Sequence, residues 1–137
     1  MSDSSTSNPL DSTTPFKLDL PQITEWHVLA AIKLMREDLA RDYRADDLAK
    51  LVSISASHLC ALFTKHVGMS LKHYRKDMRL KAAHHLFIHD CLTVAEAMKR
   101  TGFHHLGHFN EDFKAKYDVR PGEFRKQCQK RKYSTLL

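Results

Sequence analysis

Apolar positions along the 137-residue chain recur at intervals of three and four and do not alternate, the period of helices packed on one side. Val28, Ile32, Met35 and Leu39 form one stripe, with Trp26 at its upstream edge, and predict a helix from about Gln22 to residues 42–44. Asp46 to Val52 reads as a short helix with Leu48, Ala49 and Val52 inward. After the break Ser53-Ile54-Ser55, Ser55 is placed to cap a helix carrying Leu59, Leu62, Phe63 and His66, which Gly68 ends. The next stretch, Ser70 to His89, has two apolar faces: Leu71, Tyr74, Met78 and Ala82 on one, Leu80, Ala83 and Phe87 on another roughly 150° away at about 100° per residue. One helix therefore has two cores to serve. Its span of roughly 30 Å, at about 1.5 Å per residue, approaches the ~34 Å between successive major-groove faces of a duplex.

Beyond a turn at Asp90-Cys91-Leu92, Thr93 with Glu96 three residues on matches a capping box and predicts a new helix, stopped at Gly102. A helix with Phe109, Phe113 and Tyr117 follows, then a last short one after Pro121, whose missing N–H is harmless in a first turn. The segments before and after the central helix repeat. Leu59, Phe63, Tyr74 and Arg75 match Phe109, Phe113, Phe124 and Arg125 at an offset of 50, while Leu48 and Ser53 match Ala97 and Gly102 at 49. In each copy a short helix, a three- to four-residue break and a second helix follow one another, the arrangement of a helix-turn-helix.

Composition agrees with an all-α fold, since only four residues are glycine and no strand-period run occurs. The net charge is +6, with a pI near 9.3. Residues 1–22 hold one lysine against three aspartates, a net of −2, so the remainder carries +8, which raises the expectation of a polyanionic partner. Residues 1–21, rich in Ser, Thr and Pro, read as a disordered tail or linker; 22–130 as the folded domain; 131–137 as a basic C-terminal tail. Cys60, Cys91 and Cys128 stand apart without CxxC spacing, which suits a reduced, cytoplasmic compartment. No leader-like or membrane-spanning apolar run is present in the sequence. His85 with His89, and His104 with His108, share the i, i+4 spacing of paired ligands but lack an obvious third and fourth, so no metal or cofactor is expected. Neither a nucleophile, base and orienter set nor a phosphate-cradling glycine loop appears, so no enzyme is expected.

The second repeat, with Thr93-Val94-Ala95-Glu96, Thr101-Gly102-Phe103, His108-Phe109-Asn110, Phe113-Lys114 and Pro121-Gly122-Glu123-Phe124-Arg125, resembles the signature of the AraC/XylS family of bacterial transcription regulators. Leu48-Ala49, Ser55, Leu59, Phe63, Gly68-Met69-Ser70, Tyr74, Arg79-Leu80 and Ala83 extend the resemblance to about residues 25–127. It implies seven helices in two helix-turn-helix lobes joined by the long central helix. Recognition helices at about 55–66 and 105–117 would enter adjacent major-groove segments of double-stranded DNA. Positions matching the base-facing ones are Ala56, Ser57, Cys60 and Ala61 in the first helix. In the second they are Leu106, Gly107, His108, Asn110 and Glu111.

Glu111 stands where the family often has arginine, and could accept from a cytosine amino group instead. Ser53 occupies a usual glycine position, so that turn is strained if its φ is positive. Phosphate contact is expected from Lys65, Lys72, Arg75, Lys76 and Arg79 in the first half. His105, Lys114, Lys116, Arg120 and Arg125 are the counterparts in the second. RNA polymerase would be a protein partner. Two versions fit the resemblance: a free-standing regulator, or the effector part of a longer ligand-responsive protein whose sensor lies before the Ser/Thr-rich stretch. A protein-interaction module that kept the fold and lost base reading is the alternative outside that class.

Overall fold

The computed structural model describes residues 25–136, so the Ser/Thr/Pro-rich stretch expected as a tail or linker lies outside the described residues. Among the described residues seven helices follow one another: α1 (Trp26–Glu37), α2 (Ala45–Leu51), α3 (Ala56–Val67), α4 (Leu71–His89), α5 (Val94–Thr101), α6 (Leu106–Tyr117) and α7 (Pro121–Leu136). No strand occurs among the described residues.

Local sequence sets most of the boundaries. The Ser55 hydroxyl accepts from the His58 amide at 3.1 Å, and the Ser70 hydroxyl does the same for His73 at 3.1 Å, so each start satisfies an otherwise orphaned donor. Thr93 and Glu96 form the expected capping box. Gly68 and Gly102 close α3 and α5 with φ of 88° and 89°. Ser53 does have positive φ, 65°, in the first helix-turn-helix, so a residue with a Cβ holds a conformation glycine would adopt more cheaply.

α4 divides the interior in two. Leu71, Tyr74 and Met78 pack with Val28, Ile32 and Met35 of α1, Leu48 and Ala49 of α2, and Leu59 and Phe63 of α3. Leu80, Ala83 and Phe87 pack with Ala97, Phe109 and Phe113, while Met98, Tyr117 and Phe124 close the rim of this second core. Each fully buried Leu, Ile or Phe contributes about 1.5 to 3 kcal/mol, so each lobe rests on a handful of side chains. The His84 imidazole stacks on Tyr117 at 4.3 Å and Phe124 at 4.5 Å between ring centroids. Its burial, with the nearby charges of His85 and Lys116, lowers its pKa and so favours the neutral ring.

Two boundaries differ from the sequence reading. α1 ends at Glu37, not at residues 42–44, because Asp38 leaves helical geometry (φ −141°, ψ 77°). The chain then turns through residues 38–43, with the Arg41 amide on the Asp38 carbonyl at 3.2 Å and the Tyr43 amide on the Arg41 carbonyl at 3.0 Å. That turn points the Leu39 and Arg41 carbonyls at Arg79 of α4, which binds them at 2.8 and 3.1 Å. α7 is also longer than the expected short helix: it runs on to Leu136 through the stretch read as a basic tail, and Lys132 reaches back to the His89 carbonyl at 3.4 Å. Past Gly122 the segment has no helix breaker and many strong helix formers, so nothing in it stops propagation.

Candidate nucleic-acid interface

In α3 only Leu59 and Phe63 are buried, one turn apart, so the helix is anchored along a single narrow line. Its opposite side presents Ser57, Cys60, Ala61 and Lys65 to solvent, with Ala56 half-buried at the start. α6 repeats the arrangement. Phe109 and Phe113 anchor it, while Leu106, Gly107, His108, Glu111 and Lys114 are exposed and Asn110 is half-buried. Leu106 keeps 54% of its surface, unusual for a leucine on a helix whose other face is packed. An exposed leucine beside a glycine suits contact with a thymine methyl group. The two helices start differently: Ser55 caps α3, whereas His105 precedes α6 without a side-chain hydrogen bond to its first amides.

The expected phosphate-contacting cations divide into two sets. Lys65, Lys72, Lys114 and Arg120 are exposed, as is His105. Lys76 is exposed too, with Asp112 at 3.5 Å, a pairing that solvent makes weak. Arg75 is half-buried and donates to the Tyr43 carbonyl. Arg125 donates from Nε to the Leu92 carbonyl at 2.9 Å, and Lys116 lies 2.6 Å from Asp77 Oδ1, so both are turned to the fold. The Asp77 carboxyl is held below its usual pKa because its hydrogen bond to Lys116 and the charges of Lys116 and Lys81 outweigh its burial.

Arg79 lies inside the fold and not, as the sequence suggests, at a phosphate-facing surface. It is 8% exposed, and its guanidinium binds the Leu39 carbonyl at 2.8 Å, the Arg41 carbonyl at 3.1 Å, the Gly102 carbonyl at 3.3 Å and Asp42 Oδ1 at 3.1 Å. Four of its five N–H donors are spent on the fold and the side chain is buried, so it does not face a phosphate; instead it ties the α1–α2 connection of the first lobe to the α5–α6 turn of the second. Gly102 permits the close approach: a Cβ there would lie 2.8 Å from Arg79 Cζ and 3.0 Å from Ala40 Cα. Burial acts against the charge of Asp42, yet hydrogen bonds from Arg79 and His104 hold its carboxyl below the usual range.

Where the lobes meet, a cleft of about 440 Å³ opens between the first turns of α4 and the loop leading into α6. Lys72, His73, Arg75 and Lys76 line one wall; His104, His105 and His108 line the other. The sequence reading missed His73 in this setting, although its place one turn into a basic segment of α4 was a usable signal. The histidine pairs considered for metal resolve differently: His85 and His89 are adjacent rings 4.2 Å apart, and His104 faces Asp42 at 3.0 Å. Among the described residues no group of three or more His, Cys, Asp or Glu side chains is arranged to hold a metal ion, and no helix is long and apolar enough to cross a membrane.

Comparison with known proteins agrees with this geometry. A family model described as "Helix-turn-helix domain" matches residues 48–127. The XylDLEGF operon transcriptional activator of Pseudomonas putida is 30% identical over 107 residues, covering 72% of this chain and 32% of that protein. The chain thus spans about a third of the length of the curated relatives it matches. A probable AraC family transcriptional regulator from Rhodopseudomonas palustris superposes with a TM-score of 0.66 at 26% identity, over 74% of this chain and 96% of that one. The DNA-binding domain of AdpA, solved with a target DNA, gives 0.70 at 18% identity over 76% and 94%, and shares the fold.

Proposed function

The chain belongs to the AraC/XylS family of helix-turn-helix transcription regulators, and from that premise we propose that it binds double-stranded DNA in a sequence-dependent way by inserting α3 and α6 into successive major-groove segments. The observation that carries the reading is the pair of matched helices, each anchored by two buried residues one turn apart and each presenting its opposite side to solvent. Ala56, Ser57, Cys60 and Ala61 offer the first groove segment a small, nearly uncharged surface. Such a surface reads by shape and by methyl contact more than by bidentate hydrogen bonds. Leu106, Gly107, His108, Asn110 and Glu111 offer the second a mixed one, with one carboxylate able to accept from a cytosine amino group. Lys65, Lys72, Lys114 and Arg120 supply sequence-independent attraction from the flanks.

The finer parts of the proposal are contact with RNA polymerase and a sensor segment outside this chain. A free-standing regulator and the effector part of a longer one both fit a chain that spans about a third of the curated relatives' length.

Selection of bound sequences from a random duplex pool tests the function. The expected outcome is two preferred patches centred about one helical turn, ~10 base pairs, apart, with the more demanding patch under α6. Binding with a steep salt dependence and no preference among sequences would instead identify a module that kept the fold without base reading.

A further inference from the structure

The cleft at the lobe junction has a composition that helix anchoring does not explain. Four of its lining residues are lysine or arginine and one is aspartate, a net of +3 with the histidines neutral. Arg79 is buried, with four of its five donors bound by the fold, so the charge offered to a ligand comes from Lys72, Arg75 and Lys76. Asp112 opposes Lys76 at 3.5 Å from α6. Asp42, from the α1–α2 connection, is engaged by Arg79 and by His104. His73, His105 and His108 have no carboxylate partner among the described residues.

Position narrows the ligand. The cleft is bounded by the first turn of α6, where His105 leaves the leading amides without a side-chain cap, and by the start of α4, just past the end of α3. A duplex engaged by both α3 and α6 has to carry its sugar-phosphate backbone across this junction between one groove segment and the next. We propose that the cleft is a binding site for backbone phosphates of the duplex and that His73, His105 and His108 make the grip proton-dependent. The site rests on the DNA-binding reading above.

The sign follows from linkage. A phosphodiester beside an imidazole stabilises the imidazolium, so the histidine pKa is higher in the complex than in the free protein. The added affinity is fully present at low pH, where the imidazole is protonated in both the free and the bound protein, and is lost as pH rises through the bound value. For one histidine raised by a single unit, moving from about pH 8 to about pH 6 tightens binding about sixfold; two or three such groups give tenfold or more.

Fluorescence anisotropy on a labelled duplex of random sequence, at fixed ionic strength across that pH range, measures this without knowledge of the operator. The native protein is expected to tighten by about tenfold or more, and the exposed double variant His73→Gln, His105→Gln to lose most of that response. A native Kd independent of pH, or a double variant with the full native response, overturns the proposal while leaving DNA binding intact. A second arm follows the histidine ring protons by NMR as inorganic tripolyphosphate is added to the native protein. Shifts at His73 and His105 that duplex addition replaces with those of the duplex complex, with release of the tripolyphosphate, support the site. The same shifts with no binding of duplex at any pH overturn the DNA source, and with it the reading of the whole chain, in favour of a free phosphate ligand.

Discussion

Replacing Arg79 by methionine is expected to lower stability by about 3 to 5 kcal/mol, the usual cost of removing one partner from a buried, charge-assisted network. The guanidinium serves three carbonyls, those of Leu39, Arg41 and Gly102, together with one carboxylate oxygen of Asp42. Methionine fills part of the volume but leaves those acceptors without their donor. Lysine is expected to fare little better, because one ammonium cannot reach acceptors spread around a planar fork. Asp42→Asn should cost far less, at most about 1 kcal/mol, since Asp42 is 59% exposed and the three carbonyls keep their donor. Urea unfolding of the three variants beside the native chain gives the comparison. A loss below about 1 kcal/mol for Arg79→Met would show that the lobes are held together by something else. Against a total stability of about 5 to 15 kcal/mol, the expected loss also brings the two lobes closer to unfolding separately. A broader transition with a smaller slope should accompany it.

Phe113→Ala is expected to be comparably severe, about 3 to 5 kcal/mol, and confined to the second lobe. The ring is fully buried and sits 5.8 Å from Phe87, 5.8 Å from Phe109, 4.8 Å from Tyr117 and 5.7 Å from Phe124, centroid to centroid. Three helices meet at it, so truncation opens a cavity that no single neighbour can fill. The first core, built from other residues, is left as it was. Amide hydrogen exchange should therefore accelerate across α5, α6 and α7 while protection in α1 to α3 persists. Uniform acceleration over both lobes would mean that they unfold as one unit, and a loss below about 1.5 kcal/mol that the second core repacks.

Much of this architecture is local and could be read from the chain. Ser55, Ser70, Thr93 with Glu96, Gly68, Gly102 and Pro121 mark helix ends by chemistry acting within three or four residues. The offset of 50 between the phenylalanine and leucine anchors disclosed the second lobe as a copy of the first. The division of α4 between two cores followed from angular position alone.

What stayed hidden involves partners distant in sequence. Arg79 has the sequence context of a surface cation, because its acceptors are carbonyls of residues 39, 41 and 102, displayed only by the early end of α1 and the αL turn at Gly102. A signal was nonetheless present: at about 100° per residue Arg79 falls between Ala82 and Ala83 on the helical wheel, and both alanines are buried. A charged side chain flanked by buried positions on either side needs acceptors within the fold. The length of α7 is obscured for the opposite reason, since a dense basic run has the composition of a solvated tail although nothing in it breaks a helix. Lys116 and Arg125 belong with Arg79 as charges whose partners, Asp77 and the Leu92 carbonyl, only the packed structure supplies.

The central claim is that a fixed frame, tied at Arg79, presents two probes to one duplex at a set separation. Once the two preferred patches are known, its most direct test is the Kd for that duplex against one with about five base pairs, half a helical turn, inserted between the patches. A frame of fixed spacing predicts weakening of about a hundredfold or more, because only one probe can then meet its patch. Equal affinity for both duplexes would contradict it.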